Sequence, residues 1–251
     1  MVFLSIIIPF NISKRYLIDC LDSLCEQNLD DYEIIIIANG YEGSMDDLLK
    51  NYPQLNDRIN QLKSDLKLPL DKKIILYAPT WGDDDYYDTA SVRFNFKLDL
   101  HRLKEEFGDE YVIVSRLHYF IADNIDLKCL DGFVYDLSKH EDIAELYLVS
   151  DMLITDYSSV FFDYANLKRP ILFYTYDLDK YENVLRRFYI DINEVPGPML
   201  KTTEEVIEAL KNIDEIESQY SEKYEEFYDK FCNLEDGNSA KRIVEKVWGR
   251  K

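Results

Sequence analysis

Basic residues are scarce in this sequence: 29 Lys and Arg stand against 49 Asp and Glu, a formal net charge of −20 at pH 7. An excess of that sign repels nucleic acid and anionic headgroups, which argues against any general polyanion-binding role. A local basic or helix-terminal site can still hold a small anion. Long apolar runs are missing as well: stretches such as Ile34 to Ala38 fall far short of the ~20 residues that span a bilayer. The opening MVFLSIIIPF has neither a basic flank nor a small-residue cleavage site, so it reads as a buried strand and not as a signal peptide. Cys20, Cys25, Cys129 and Cys232 show no CxxC spacing and read as free thiols in a reducing cytosol. No GxGxxG, Walker loop, HExxH or GxSxG motif is present. With only 8 Gly and 7 Pro, the chain has few punctuation points, which excludes a low-complexity protein and favours regular elements with short connections.

What the chain has is apolar bulk, 47% of 251 residues, enough to bury a full core. Residues 4–9 (LSIIIP) and 33–38 (EIIIIA) are Ile-rich runs of the kind that form strands buried on both faces. Between them, Lys14 to Gln27 places Tyr16, Leu17, Cys20, Leu21 and Leu24 at helical spacing, so the opening unit reads as βαβ over residues 1–50. Residues 51–70 are polar and helix-prone, and read as a connector. Beyond them strands and helices alternate. KIILYA (73–78), YVIVSR (111–116), Phe133 to Asp136, Asp151 to Thr155 and PILFYT (170–175) read as strands. Helices are expected near Leu98–Phe107, over Ser138 to Val149, Ser159 to Leu167 and Asp214 to Cys232, and finally from Ser239 to Trp248. Capping boxes at Ser138/Glu141 and Thr202/Glu205 mark two helix starts. The pattern predicts an α/β fold with a Rossmann-like, doubly wound, mostly parallel sheet over residues 71–251, preceded by the N-terminal βαβ fragment.

In such sheets ligands bind beyond the carboxyl ends of the strands. Four polar clusters fall there: Pro79-Thr80-Trp81, Arg116 with His118, Ser138 to Glu141, and Thr155-Asp156-Tyr157-Ser158-Ser159. A strand ending in Thr155-Asp156 and turning through two serines into a helix points free N–H groups and hydroxyls outward, a ready phosphate site. Plain helix capping by Ser158 and Ser159 explains the same residues equally well. His118, just past a strand, suits donation to a phosphate oxygen or protonation of a leaving group, against a merely exposed histidine. His101 and His140 read as surface residues. The run Asp83-Asp84-Asp85 reads as a solvated acidic loop in preference to a metal site.

The stretches KKIILYAPTW, RLHYFIADNIDL, DGFVYDLSKHEDIAELYLVSDMLITDYSSVFFDYANLKRPILFYTYDLDKY and FYIDINEVPGPMLKTTEEVI resemble the CDP-glycerol glycerophosphotransferase family, the teichoic acid primases and polymerases of Gram-positive bacteria, with relatives in capsule synthesis. The likeness runs over roughly residues 55–250. It implies the C-terminal, donor-binding domain of a GT-B fold and transfer of glycerol phosphate from CDP-glycerol to a lipid-linked glycerophosphate acceptor, with release of CMP. By the resemblance His118 contacts the donor diphosphate and assists departure of CMP. Ser158 and Ser159, beside Thr155 and Asp156, bind the diphosphate. Thr80 and Arg116 line the crevice, and the loop of Ser138, Glu141 and Asp142 lies near the nucleotide. The family implies no metal or other cofactor, and work at the inner face of the plasma membrane.

Two departures stand out. Gly82 occupies a place where relatives carry arginine, and no His-Gly pair occurs, although the family's acceptor domain bears its catalytic histidine in a Trp-His-Gly-Thr motif. Residues 1–50 instead resemble the opening of family-2 GT-A glycosyltransferases, stopping before a DxD metal motif. Two alternatives to the transferase therefore stand: a CDP-glycerol-binding module that needs a separate acceptor domain as partner, and a family-2 glycosyltransferase using a UDP-sugar.

Overall fold

The computed structural model describes residues 4–11, 32–39, 53–80, 97–117, 128–178 and 190–233, with the isolated positions Arg242 and Lys246. Helix expectations over 14–27 and 239–248, the acidic run Asp83–Asp85 and His118 lie outside the described residues. The chain divides into two compact units, Met1–Ser44 with Tyr228–Lys251, and Met45–Phe227.

In the first unit, β1 (Leu4–Asn11) and β2 (Tyr32–Asn39) pair in parallel, from Leu4 opposite Tyr32 to Asn11 opposite Asn39. Both are isoleucine-rich, and β-branched side chains suit a pleated surface. Parallel neighbours require a crossover connection, as the βαβ reading of this segment expects.

The second unit holds a six-stranded sheet in the order β5-β4-β3-β6-β7-β8, with every pair parallel. Its strands are β3 (Lys73–Ala78), β4 (Tyr111–Ser115), β5 (Val134–Asp136), β6 (Met152–Thr155), β7 (Ile171–Tyr174) and β8 (Met199–Leu200). The chain builds outward from β3 through β4 to β5, then returns to lay β6 on the other side of β3. That reversal is a topological switch point, where two strand ends diverge and leave a crevice at their carboxyl ends.

Strands β3, β4, β6 and β7 are buried almost throughout because helices cover both faces. On one face Ile75, Tyr77, Ile113, Ile154 and Leu172 share a core with Leu103 and Phe107 of α2 (Leu100–Phe107) and with Val206 and Leu210 of α5 (Thr203–Lys211). On the opposite face Phe173 meets Phe161 of α4 (Val160–Tyr164) edge-on at 5.1 Å. Phe161 in turn lies 5.7 Å from Phe227 of the long acidic helix α6 (Ile213–Phe231). Helix α1 (Pro53–Asp65) belongs to this same unit.

The expected capping box of α5 forms: the Glu205 amide donates to Thr202 Oγ1 at 3.2 Å, and the Thr202 amide to Glu205 Oε2 at 3.3 Å. The one expected at Ser138 and Glu141 does not. Helix α3 (Ile143–Val149) begins later and is capped by Asp142, whose Oδ1 accepts from the Ala144 amide at 2.8 Å. Ser138 is buried, and its hydroxyl serves a different contact, described below. Among the described residues, no helix is long and apolar enough to cross a membrane. Cys129 is an exposed free thiol.

Candidate functional site

The switch point brings together the residues that follow β3 and β6. Parallel pairing sets Ala78 opposite Thr155, so both chains leave the sheet side by side. Thr155 is fully buried, and its hydroxyl donates to the Ala78 carbonyl at 2.7 Å. Its side chain therefore stitches the strand ends and does not face the crevice. Asp156, only 5% exposed, turns its carboxylate toward Thr80. The Thr80 amide donates to both carboxylate oxygens, at 2.7 and 2.8 Å, and the Thr80 hydroxyl donates to Oδ1 at 2.5 Å. Oδ1 also accepts the Ser158 amide at 3.1 Å. Burial raises the Asp156 pKa, against the lowering effect of the bonds from Thr80.

Ser158 is half-buried and Ser159 exposed. Ser159 occupies the N-cap position of α4, yet its side chain makes no capping hydrogen bond. Simple capping thus does not account for Ser159, which lies four residues past the end of β6.

A second cluster forms at the ends of β4 and β5. The Arg116 amide donates to the Tyr77 carbonyl at 2.9 Å, anchoring this cluster to β3. Arg116 Nη1 donates to three loop carbonyls, of Leu137 at 3.1 Å and of Ser138 and His140 at 2.6 Å. The Ser138 hydroxyl accepts the Leu117 amide at 2.9 Å and donates to Asp136 Oδ1 at 2.5 Å. Arg116, expected to line the crevice, and Ser138, expected near the nucleotide, are thus both engaged in fixing the loop. Glu141 and Asp142 are exposed at the mouth of α3, with Asp142 acting as its cap.

Sequence reasoning missed three features. His140 Nε2 lies 2.6 Å from Glu145 Oε2, a pair five residues apart that the i, i+3 and i, i+4 spacings of a helix do not signal, since His140 precedes the helix. The Tyr157 hydroxyl donates to Asp177 Oδ1 at 3.0 Å, and burial followed by the Asp177 charge pushes the Tyr157 pKa well up. Ser115 at the end of β4 and Thr175 just past β7 are fully buried, with hydroxyls that have no hydrogen-bond partner among the described residues.

The family described as CDP-Glycerol:Poly(glycerophosphate) glycerophosphotransferase matches residues 44–249, and glycosyl transferase family 2 matches residues 5–65. A teichoic acid poly(glycerol phosphate) polymerase of Bacillus subtilis (strain 168) is 50% identical over 214 residues, 85% of this chain but 28% of the relative. A teichoic acid glycerol-phosphate transferase of Staphylococcus aureus (strain NCTC 8325 / PS 47) is 45% identical over 229 residues, 86% of this chain and 58% of the relative. The chain therefore spans well under two thirds of either relative's length. Among solved structures, a variant of the wall teichoic acid polymerase TagF superposes with a TM-score of 0.71 at 39% identity, covering 96% of this chain and 56% of that one. A TagF variant soaked with CDPG for 15 minutes gives 0.70, also at 39% identity, with the same coverage of both chains.

Proposed function

The chain belongs to the CDP-glycerol:poly(glycerophosphate) glycerophosphotransferase family, and from that premise we propose that it binds CDP-glycerol at the β3–β6 crevice and serves glycerol-phosphate transfer. In that reaction a hydroxyl of a glycerol-phosphate acceptor attacks the β-phosphorus of CDP-glycerol. The bond between that phosphorus and the bridging oxygen breaks, and CMP leaves with the bridging oxygen. Charge develops on phosphate oxygens, and N–H donors and cations stabilise it without a covalent intermediate. Ser158 and Ser159 hold the diphosphate, Thr80 and Arg116 border it, and His118 assists departure of CMP. Residues 71–251 are read as the donor domain, with 51–70 the connector and 1–50 a GT-A-like fragment. A place at the inner membrane face follows from the lipid-linked acceptor.

The observation that carries this reading is Ser159, exposed just past the end of β6 and making no side-chain capping bond to its own helix. Isothermal calorimetry tests it. CDP-glycerol should bind more tightly than CDP, UDP-glucose should not bind, and Ser158→Ala or Ser159→Ala should each weaken CDP-glycerol about tenfold. Equal heats for CDP-glycerol and buffer would remove the proposal, and manganese-dependent UDP-glucose binding would favour the family-2 reading.

A second reading, a donor-binding module that turns over only with a separately supplied acceptor domain, is favoured by the absence of any His-Gly pair in the sequence. CMP release from CDP-glycerol with a lipid-linked glycerophosphate acceptor separates the two, since the module alone gives none.

A further inference from the structure

The Asp156 carboxylate is already engaged by the protein's own donors, and only Oδ2 keeps acceptor capacity. An ionised carboxylate accepts and cannot donate. Oδ1 already takes the Thr80 amide, the Thr80 hydroxyl and the Ser158 amide, and Oδ2 takes the Thr80 amide again. A buried negative charge also repels a diphosphate at close range. Nor does the sheet need this carboxylate. The β3–β6 ladder already runs from Ile75 opposite Met152 to Ala78 opposite Thr155, and the Thr155 hydroxyl closes its end on the Ala78 carbonyl. What Asp156 adds lies beyond the last paired residues, where it ties position 80 to position 158.

We propose that Asp156 is a positioning residue that brackets Thr80 and Ser158 across the switch point and acts on the bound diphosphate only through them. The inference rests on the functional reading above and replaces direct substrate contact by Asp156. It carries a corollary for Thr80. With its hydroxyl proton given to Asp156, the Thr80 oxygen offers a ligand lone pairs only, so it receives a hydroxyl or amino donor and does not donate to phosphate.

The test uses the full chain and CDP-glycerol in calorimetry. Asp156→Asn and Thr80→Val should each weaken binding about tenfold. The double variant should lose less than the sum of the two single losses, because both disturb the bond from the Thr80 hydroxyl to Asp156 Oδ1. Thr80→Ser should restore most of what Thr80→Val loses. Unchanged affinity in Asp156→Asn, or additive losses in the double variant, would overturn the bracket. Should Asp156→Asn fail to fold, Thr80→Val against Thr80→Ser decides the matter, since valine removes the hydroxyl that donates to Asp156 and serine keeps it. A wild-type chain that ignores CDP-glycerol would defeat the functional reading instead. The bracket would then be judged from amide NMR resonances. Asp156→Asn must shift both Thr80 and Ser158, and a shift of only one counts against it.

Discussion

Arg116 holds Ser138 by its backbone: Nη1 donates to the Ser138 carbonyl at 2.6 Å while also reaching the carbonyls of Leu137 and His140. Three inward-facing carbonyls on one short loop would otherwise lose their partners as the loop folds over the end of β5. A planar guanidinium can serve several such acceptors at once, which an ammonium on a flexible stem does less well. Arg116→Lys should therefore destabilise the chain by about 1–3 kcal/mol. A lower urea midpoint with an unchanged slope checks this. An unchanged midpoint would mean that the loop carbonyls find water instead.

The Asp156 carboxyl titrates above the usual carboxylate value of 3.8 because it is buried. Between 3.8 and that raised value the folded state holds more protons than the unfolded state. Stability contributed by this group is thus present below 3.8 and lost as pH rises through the raised pKa. Asp156→Asn removes this dependence. The stability difference between wild type and variant, followed by urea unfolding from about pH 3 to about pH 8, should shift in the variant's favour as pH rises. Parallel profiles would show that the four bonds fully compensate the burial.

The strands of the main sheet were readable because KIILYA, YVIVS and ILFY are unbroken apolar runs, and the strand ends then locate the crevice. Strand β8 was not, since two residues carry no periodicity. The Ser138 capping box was a real local signal, but Asp142 offers the same chemistry four residues on, and a tertiary contact to Leu117 claims the serine. Asp156 was visible as part of a motif. Its partner was not, because Thr80 lies 76 residues away and such pairing depends on strand order. The loop contacts of Arg116 were hidden for the same reason: nothing local shows that carbonyls 21 to 24 residues onward reach its guanidinium.

Helix α5 depends on a reciprocal cap at its first turn. The Thr202 hydroxyl accepts from Glu205, and the Glu205 carboxylate returns a bond to Thr202. Thr202→Ala should cost about 1 kcal/mol, and Thr202→Ser much less, because serine keeps the acceptor. Thermal unfolding should show a fall of roughly 2–4 °C for the alanine variant. Equal shifts for both variants would mean that the methyl group matters and the cap does not.

Gly197 is fixed by close approach. It sits in the buried turn Val195-Pro196-Gly197-Pro198 that leads into β8, and a Cβ there would lie 1.9 Å from the Ile171 carbonyl oxygen and 3.4 Å from Phe173 Cε2. The first neighbour is backbone of β7 and cannot rotate away, so the turn itself must retreat. Retreat would strain the link by which the Phe173 amide donates to the Pro198 carbonyl at 3.0 Å and the Thr175 amide to Leu200 at 2.7 Å. Gly197→Ala should therefore cost more than about 3 kcal/mol, beyond ordinary overpacking. The loss should concentrate at the sheet edge, with hydrogen exchange accelerating at Phe173 and Thr175 before it does at Ile154. A variant with wild-type exchange at those two amides would show that the turn accommodates a methyl group.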